Sequence, residues 1–336
     1  MISKLLLCYG TRPEWIKVKP IIDKLKESNI EYKTLFTGQH KDLVTDAADY
    51  MLPMIEDIGN NRLDSIVSGI LKSVDGIIDN YDYILVQGDT TSVFSIALAA
   101  FHRGKKIIHL EAGLRTYDNC NPYPEEFNRT AVSRITDIHL CPTEFSKKNL
   151  LEEKVGGNIY VVGNTVLDNL VDIETSYSNN VIVTIHRREN HHQVDKYFNV
   201  INKLAENNPT LNFILPIHPN PNIYKHKHIL EHVNVINPMP YDKMIELLAN
   251  CKVIISDSGG IQEEASFFNK KVIVCRETTE RPESLGVHSF LCSSPDYLEN
   301  MFNDLINDCE IDEKCPYGDG TSSEKIVKIL GEIFNG

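Results

Sequence analysis

Short apolar runs alternate with helical patterns almost from one end of the chain to the other, and this alternation leaves few folds open. KLLLCYG (4–10) leads into TRPEWIKVKPIIDKLKES (11–28), then YKTLFTG (32–38) and a polar–apolar helical stretch. YILVQGD (83–89) leads into TTSVFSIALAAFHRG (90–104). KIIHLEAG (106–113) is followed by a loop and a helical EEFNRTAVSRI (125–135). DIHLCPT (137–143) precedes the helical EFSKKNLLEEK, and NIYVVGN (158–164) closes the series. A second series follows: NVIVTIH (180–186), NFILPIH (212–218), NVINPMP (234–240), KVIISDSGG (252–260) and KVIVCRE (271–277), with helical stretches or turns between them. Strands that are apolar throughout and separated by helices form parallel sheets covered on both faces. The chain has 336 residues, which suits two domains of about 150 residues each. The polar DIETSYSNN (172–180) reads as a linker. The expected organisation is an N-terminal Rossmann-like domain over 1–171 and a second, nucleotide-binding Rossmann-like domain over 172–320. The closing segment 321–336 is expected to form a helix packing back across the boundary. The fold class is therefore α/β, two doubly wound domains whose strand ends face a cleft.

The stretch VIISDSGGIQEEASFF (253–268) reads as a buried strand, a tight turn and a helix. Gly259 and Gly260 would let backbone approach a ligand where a Cβ collides. Free N–H groups at the helix start, with the helix dipole, favour an anion there. Glu263 and Glu264 are placed in the first helical turn, with Glu264 able to accept from ribose hydroxyls. Arg276 and Arg281, in RETTERPES (276–284), would add positive charge beside a phosphate. The alternative is an ordinary strand–turn–helix.

Other polar residues collect just after apolar strands: Arg12, Asp89, Glu111, His186, His218 and Ser258. In open α/β sheets these positions line the ligand crevice, and charges there are costly unless paired or functional. Each has a plainer reading as well. Asp89 could cap the following helix. Glu111 could pair with nearby Arg115. Glu125 and Glu126 follow a proline and suit a helix start. His186, beside Arg187 and Arg188, could be a solvated turn.

Charge and composition narrow the partners. A net charge of −13 argues against general nucleic-acid or anionic-membrane binding, and no apolar run approaches the roughly 18 residues that span a bilayer. The histidines and acids show no metal-ligand spacing, and no ordered G-x-G-x-x-G follows the first strand, so neither a metal nor a nicotinamide cofactor is expected. MISKLLLCYG reads as a first strand rather than a signal peptide. Eight scattered cysteines without a C-x-x-C pair suit reduced thiols in a cytoplasmic protein.

Taken together, GTRPEWIK (10–17), TGQH (37–40), QGDTTS (87–92), HLEAGLRT (109–116), PEEFNR (124–129), CPTE (141–144), GNTVLD (163–168), HRREN (186–190), HPNP (218–221), DSGGIQEEA (257–265), TTERPE (278–283) and PYGDG (316–320) make a chain that resembles the non-hydrolysing UDP-N-acetylglucosamine 2-epimerases over nearly its whole length. The resemblance implies the two-domain GT-B architecture. It implies interconversion of UDP-GlcNAc and UDP-ManNAc by anti elimination of UDP to a 2-acetamidoglucal and re-addition to the opposite face. By motif position, Asp89, Glu111 and Glu125 would be the acid–base carboxylates, and His186 would assist departure or return of UDP. Arg12, Lys17 and Arg187 would face the phosphates or nucleotide. Ser258, Gly259 and Gly260 would hold the diphosphate, Glu264 the ribose, and Arg281 the phosphate or sugar. No cofactor is implied, and a homodimer is expected. Bacterial members are activated by UDP-GlcNAc at a second site, for which Gln39, His40 and His218 match. There GNNRLDSIVS (59–68) departs from the usual form, with Arg62 as a substitute, so activation is expected to be weakened or absent. Alternatives are a 2-epimerase of another UDP-N-acetylhexosamine (6-deoxy or uronic), a hydrolysing epimerase and a GT-B glycosyltransferase.

Overall fold

The structure, a computed structural model, describes residues 3–39, 48–54 and 61–335. The described chain forms two compact units: residues 1–169 with 318–336, and residues 170–317. Each is built on a wholly parallel sheet, so the α/β fold class read from the strand–helix alternation is the one found.

The first unit contains β1 (Leu5–Tyr9), α1 (Arg12–Lys26), β2 (Tyr32–Phe36), β3 (Tyr50–Met51), α2 (Arg62–Ser73), β4 (Tyr83–Gln87), α3 (Thr91–His102), β5 (Lys106–Leu110), α4 (Glu125–Ser133), β6 (Ile138–Cys141), α5 (Glu144–Glu152) and β7 (Asn158–Val161). Its strand order is β3-β2-β1-β4-β5-β6-β7. Period-2 alternation in β1 divides its side chains between two cores. Leu6 and Cys8 pack with Ile66, Ile70 and Ile96, while Leu5, Leu7 and Tyr9 pack with Val18, Ile21 and Leu25. Helix α1 starts where the sequence says it should. Thr11 and Glu14 form a reciprocal capping box, the T-x-x-E signature of a helix N-terminus.

The second unit contains β8 (Asn180–Thr184), α6 (Val194–Asn207), β9 (Asn212–Pro216), α7 (Pro221–Tyr224), β10 (Asn234–Ile236), α8 (Tyr241–Ala249), β11 (Val253–Ser256), α9 (Gly259–Phe267), β12 (Lys271–Val274), β13 (Ser289–Leu291) and α10 (Pro295–Ile306), in the sheet order β10-β9-β8-β11-β12-β13. The polar stretch before β8 is fastened down. The Lys270 ammonium donates to the Ser176 carbonyl at 2.6 Å and lies 3.5 Å over the Tyr177 ring. The chain then returns to the first unit with α11 (Ser322–Asn335), whose Ile326 and Leu330 join the core of Leu5, Leu7 and Tyr9.

Strands β3 and β13 have two and three residues and lie at sheet edges, too short to leave a periodic signal. In both sheets the winding reverses direction at one place, between β1 and β4 and between β8 and β11. Such switch points, at the carboxyl ends of the strands, are where open α/β sheets bind ligands.

Candidate active site

At the switch point of the first unit the chain leaves β4 through Gly88, which has φ +80°, and reaches Asp89. Thr90, not Asp89, caps α3 by accepting from the Val93 amide. Asp89 is instead held from α4: Arg129 Nη2 donates to its Oδ2 at 2.5 Å, and Asn128 Nδ2 donates to its carbonyl at 2.9 Å. Glu125, Asn128 and Arg129 are spaced i, i+3, i+4, so they share one helix face, and the residues gripping Asp89 bring Glu125 with them. Glu125 is the first residue of α4, as the helix-start reading of PEEFNR has it.

Glu111 follows β5 in the left-handed region at φ +65°. A non-glycine residue there costs on the order of 1–2 kcal/mol, so the surroundings must hold it. They do so with three donors from three elements. Lys17 Nζ on α1 donates to Oε1 at 2.5 Å, Gln87 Nε2 at the end of β4 donates to Oε2 at 2.5 Å, and Asn164 Nδ2 after β7 donates to Oε1 at 3.3 Å. The Lys17 and Glu111 side chains are only 13% and 8% exposed. An ammonium and two amide donors on one half-dry carboxylate are the surroundings of an ionised group. Arg115, the partner first expected for Glu111, pairs with Glu153. Lys17, expected at the phosphates, here donates to Glu111. A Cβ built on Gly88 would stand 3.5 Å from Glu111 Oε2, so Glu111 lies close to the turn that carries Asp89.

Two further residues hold this arrangement. Glu14, buried, accepts from the Gly10 and Thr11 amides and from Thr90 Oγ1 at 2.7 Å, tying the start of α1 to the start of α3. Burial raises its carboxyl to about 7, against those hydrogen bonds. His109, in β5, meets the Gly88 carbonyl through Nε2 at 2.8 Å, and burial lowers it to about 3. It is therefore a neutral Nε2–H donor that fixes the turn carrying Asp89. Arg12 is exposed at the first position of α1, Arg62 is exposed at the first position of α2, and Gln39 accepts from Ser92 Oγ at 2.5 Å. His40 lies outside the described residues, as do residues 59–60.

In the second unit His186 follows β8 and Asp257 follows β11, side by side at the switch point. Asp257 is fully buried and accepts from the His186 amide, from the Arg187 amide at 2.9 Å and from Asn190 Nδ2 at 3.0 Å. The His186 ring stacks on His218, with centroids 5.5 Å apart and planes at 15°. Burial, and then His186, lowers the His218 pKa. His218 Nδ1 accepts from the Asn220 amide.

Ser258 is the N-cap of α9 but its side chain caps nothing, so the first-turn amides keep their donors. A Cβ on Gly260 would meet open space, whereas one on Gly259 would stand 2.6 Å from Arg281 Nη1. Gly259 is thus required by the arginine beneath it, and Gly260 is the position open to a ligand. Arg281 is buried. Its Nε donates to Glu263 Oε1 at 2.6 Å and its Nη1 donates to Glu280, whose other oxygen takes Arg276 Nη1 at 2.8 Å. Glu263 and Glu264 fall in the second turn of α9, not the first. Glu264 accepts from Tyr241 Oη at 2.8 Å, and burial, then Glu264, raises the Tyr241 phenol.

The structure therefore brings Lys17 onto Glu111, Asp89 onto Asn128 and Arg129 of the helix that begins with Glu125, His186 onto His218, and Arg281 under Gly259. Sequence reading missed Glu14, Gln87, Asn128, Arg129, Asn164 and Asp257, although each stands inside a quoted motif. Glu14 had the clearest signal, its place three residues after Thr11. Among the described residues no group of three or more His, Cys, Asp or Glu side chains is arranged to hold a metal ion, and no helix is long and apolar enough to cross a membrane.

Comparison with known proteins identifies the family of the chain. A family model described as UDP-N-acetylglucosamine 2-epimerase matches residues 23–331. The UDP-N-acetylglucosamine 2-epimerase of Campylobacter jejuni is 35% identical over 376 residues, covering 98% of each chain. That of Neisseria meningitidis serogroup A is 37% identical over 369 residues, covering 97% of this chain and 99% of the relative. The crystal structure of UDP-GlcNAc 2-epimerase from N. meningitidis bound to UDP-GlcNAc superposes with a TM-score of 0.88 at 34% identity, covering 98% of this chain and 100% of that one.

Proposed function

The chain belongs to the UDP-N-acetylglucosamine 2-epimerase family and is an isomerase of that class, and on that premise we propose that it inverts C2 of UDP-GlcNAc to give UDP-ManNAc without hydrolysis. The observation that carries the reading is the Glu111 carboxylate, held by Lys17, Gln87 and Asn164 close to the Gly88 turn that leads into Asp89. A sugar C2–H is only weakly acidic, so its removal needs a base fixed in place and kept charged. Asp89, Glu111 and Glu125 supply candidates for the proton acceptor and for the donor that returns a proton to the opposite face. As the C2 proton leaves, the C1–O bond breaks and its electron pair stays on the departing UDP. The resulting 2-acetamidoglucal re-adds UDP at C1 while C2 is reprotonated from the other side.

The second unit is suited to the diphosphate. The uncapped first turn of α9, with Gly260 open beside it, offers backbone donors, and Ser258 and Arg187 lie at the same switch point. Glu264, which accepts from Tyr241, is the acceptor we propose for a ribose hydroxyl. A relative 34% identical to this chain has been crystallised with UDP-GlcNAc, which supports that sugar over other UDP-N-acetylhexosamines. We place the protein in the cytoplasm as a homodimer. Five of its thiols are buried as free cysteines, which suits a reducing compartment. Sedimentation at about twice the 38.1 kDa chain mass tests the dimer.

The experiment is incubation with UDP-GlcNAc in heavy water, following the sugar by NMR. UDP-ManNAc carrying deuterium at C2 is the expected product. Free ManNAc would mean a hydrolysing enzyme, transfer to an acceptor a glycosyltransferase, and turnover of only a 6-deoxy or uronic analogue a different substrate.

A further inference from the structure

Asp257 does more in the structure than terminate a strand. Its Oδ2 accepts from the His186 amide, the Arg187 amide and Asn190 Nδ2, and Asn190 Nδ2 also reaches the Cys275 carbonyl at 2.9 Å. Its other oxygen, Oδ1, accepts a longer bond from the His186 amide at 3.2 Å and stands 3.5 Å from His186 Nδ1. One buried carboxylate therefore sets the backbone of the turn and faces one particular nitrogen of the imidazole. A carboxylate is an acceptor only. A lone pair on Nδ1 aimed at it would be repelled, whereas an N–H there is attracted, even at 3.5 Å and without an ideal hydrogen bond.

The other neighbours of the ring leave that choice to Asp257. His218 stacks on the face of His186, and its own Nδ1 is an acceptor for the Asn220 amide, so its proton is on Nε2. His191 approaches the His186 carbonyl at 3.3 Å, not the ring. The His186 side chain is 38% exposed, and no hydrogen bond from the described residues reaches its Nε2.

We propose that Asp257 is a positioning residue that keeps the His186 proton on Nδ1 and so presents Nε2 to the UDP-sugar. The inference rests on the epimerase reading for what Nε2 then does. With Nδ1 protonated, Nε2 accepts a proton in the neutral ring and donates one only from the imidazolium. In the elimination the C1–O bond breaks, its electron pair stays on the phosphate oxygen, and the Nε2 proton moves to that oxygen. The ring is left neutral with Nδ1–H, and re-addition reverses the transfer.

The test is long-range ¹H–¹⁵N NMR of the ¹⁵N-histidine-labelled protein, with the His186 signals identified by their loss in His186→Gln. The expected neutral form in the unsubstituted protein is Nδ1–H; an Nε2–H ring overturns the proposal without any Asp257 variant. Asp257→Asn is the second arm. Its carboxamide oxygen can go on accepting from the His186 and Arg187 amides while its NH₂ turns to Nδ1, which forces the opposite tautomer. The expected result is an Nε2–H ring, a kcat lowered about 10²–10⁴-fold, and unchanged KM and UDP affinity. Unaltered kcat with the tautomer reversed overturns the proposal. So does loss of UDP affinity together with altered amide shifts over residues 186–190, which would assign Asp257 to the turn alone. Failure of the unsubstituted protein to make UDP-ManNAc would sink the functional reading instead, and the tautomer would still be read.

Discussion

Arg281→Ala separates two uses of one arginine. From sequence, Arg281 is a phosphate or sugar ligand, and its loss should weaken UDP binding more than folding. In the structure its guanidinium is 7% exposed, and it bridges Glu263 and Glu280, themselves 0% and 3% exposed. Charge-assisted contacts to a phosphate are worth about 1.5–3 kcal/mol. Removing one member of a buried ion pair costs about 3–5 kcal/mol, because the remaining charge stays buried. The larger effect is on the fold. At about 1.36 kcal/mol per decade, the constant for local opening should rise roughly 150- to 5,000-fold. Hydrogen exchange of unliganded protein over residues 253–268 reads this directly, whereas fluorescence of the single tryptophan, Trp15, reports on the other unit. Arg281→Lys should fall between, since it keeps the charge but loses the planar fork. A coupled prediction is sharper. Gly259→Ala collides with Arg281 Nη1 at 2.6 Å, so the double variant should be more stable than the sum of the two single losses requires. The reasoning fails if exchange over 253–268 rises by less than about 1 kcal/mol's worth while UDP affinity falls tenfold or more. Arg281 would then be held mainly for the ligand.

Other expectations follow from the first unit. Asp89→Asn, Glu111→Gln and Glu125→Gln should each lower turnover about 10²–10⁴-fold with UDP affinity retained; near-normal rates in all three would remove their roles. Lys17→Met should behave like Glu111→Gln, and a selective loss of UDP affinity in calorimetry would return Lys17 to the phosphates. Glu14 has a folded pKa of about 7 against an ordinary 4.5, so the native state holds a proton that the unfolded chain sheds in that window. The associated stability is fully present below about pH 4.5 and lost as pH rises through about 7, on the order of 3 kcal/mol in all. Glu14→Gln should flatten that slope in denaturant titrations followed by Trp15, which lies on the same helix; an unchanged slope would refute it. For regulation, progress curves from UDP-ManNAc alone should show no lag. A long lag abolished by traces of UDP-GlcNAc would show an intact second site around Gln39 and His218.

How far the sequence could be read depends on where each signal is stored. The long buried strands and amphipathic helices are written as local periodicity, and the fold class came with them. The ends of β1, β4, β5, β8 and β11 were legible as polar residues after apolar runs, which put Asp89, Glu111, His186 and Ser258 near the switch points. Partnership was not legible. That Lys17 lies on Glu111, 94 residues away, or that Asp89 is held by Arg129, 40 residues away, depends on which loops the sheet order brings together. A plain role and a proposed functional one can share a residue. Glu125 starts a helix and shares the face that grips Asp89. Gly259 follows the expected turn, yet the group it makes room for is the buried Arg281.

The return of α11 to the first unit has a consequence for the order in which the protein is completed during synthesis. Ile326 and Leu330 close the core formed by Leu5, Leu7 and Tyr9, so that core lacks one wall until residues 322–335 have emerged. Residues 170–317 lie between, and at about 5–20 residues per second they take roughly 7–30 s to translate. During that interval the second unit can assemble from consecutive residues, while the core of the first unit lacks Ile326 and Leu330. The nascent chain therefore carries an open core well behind its growing end until α11 arrives.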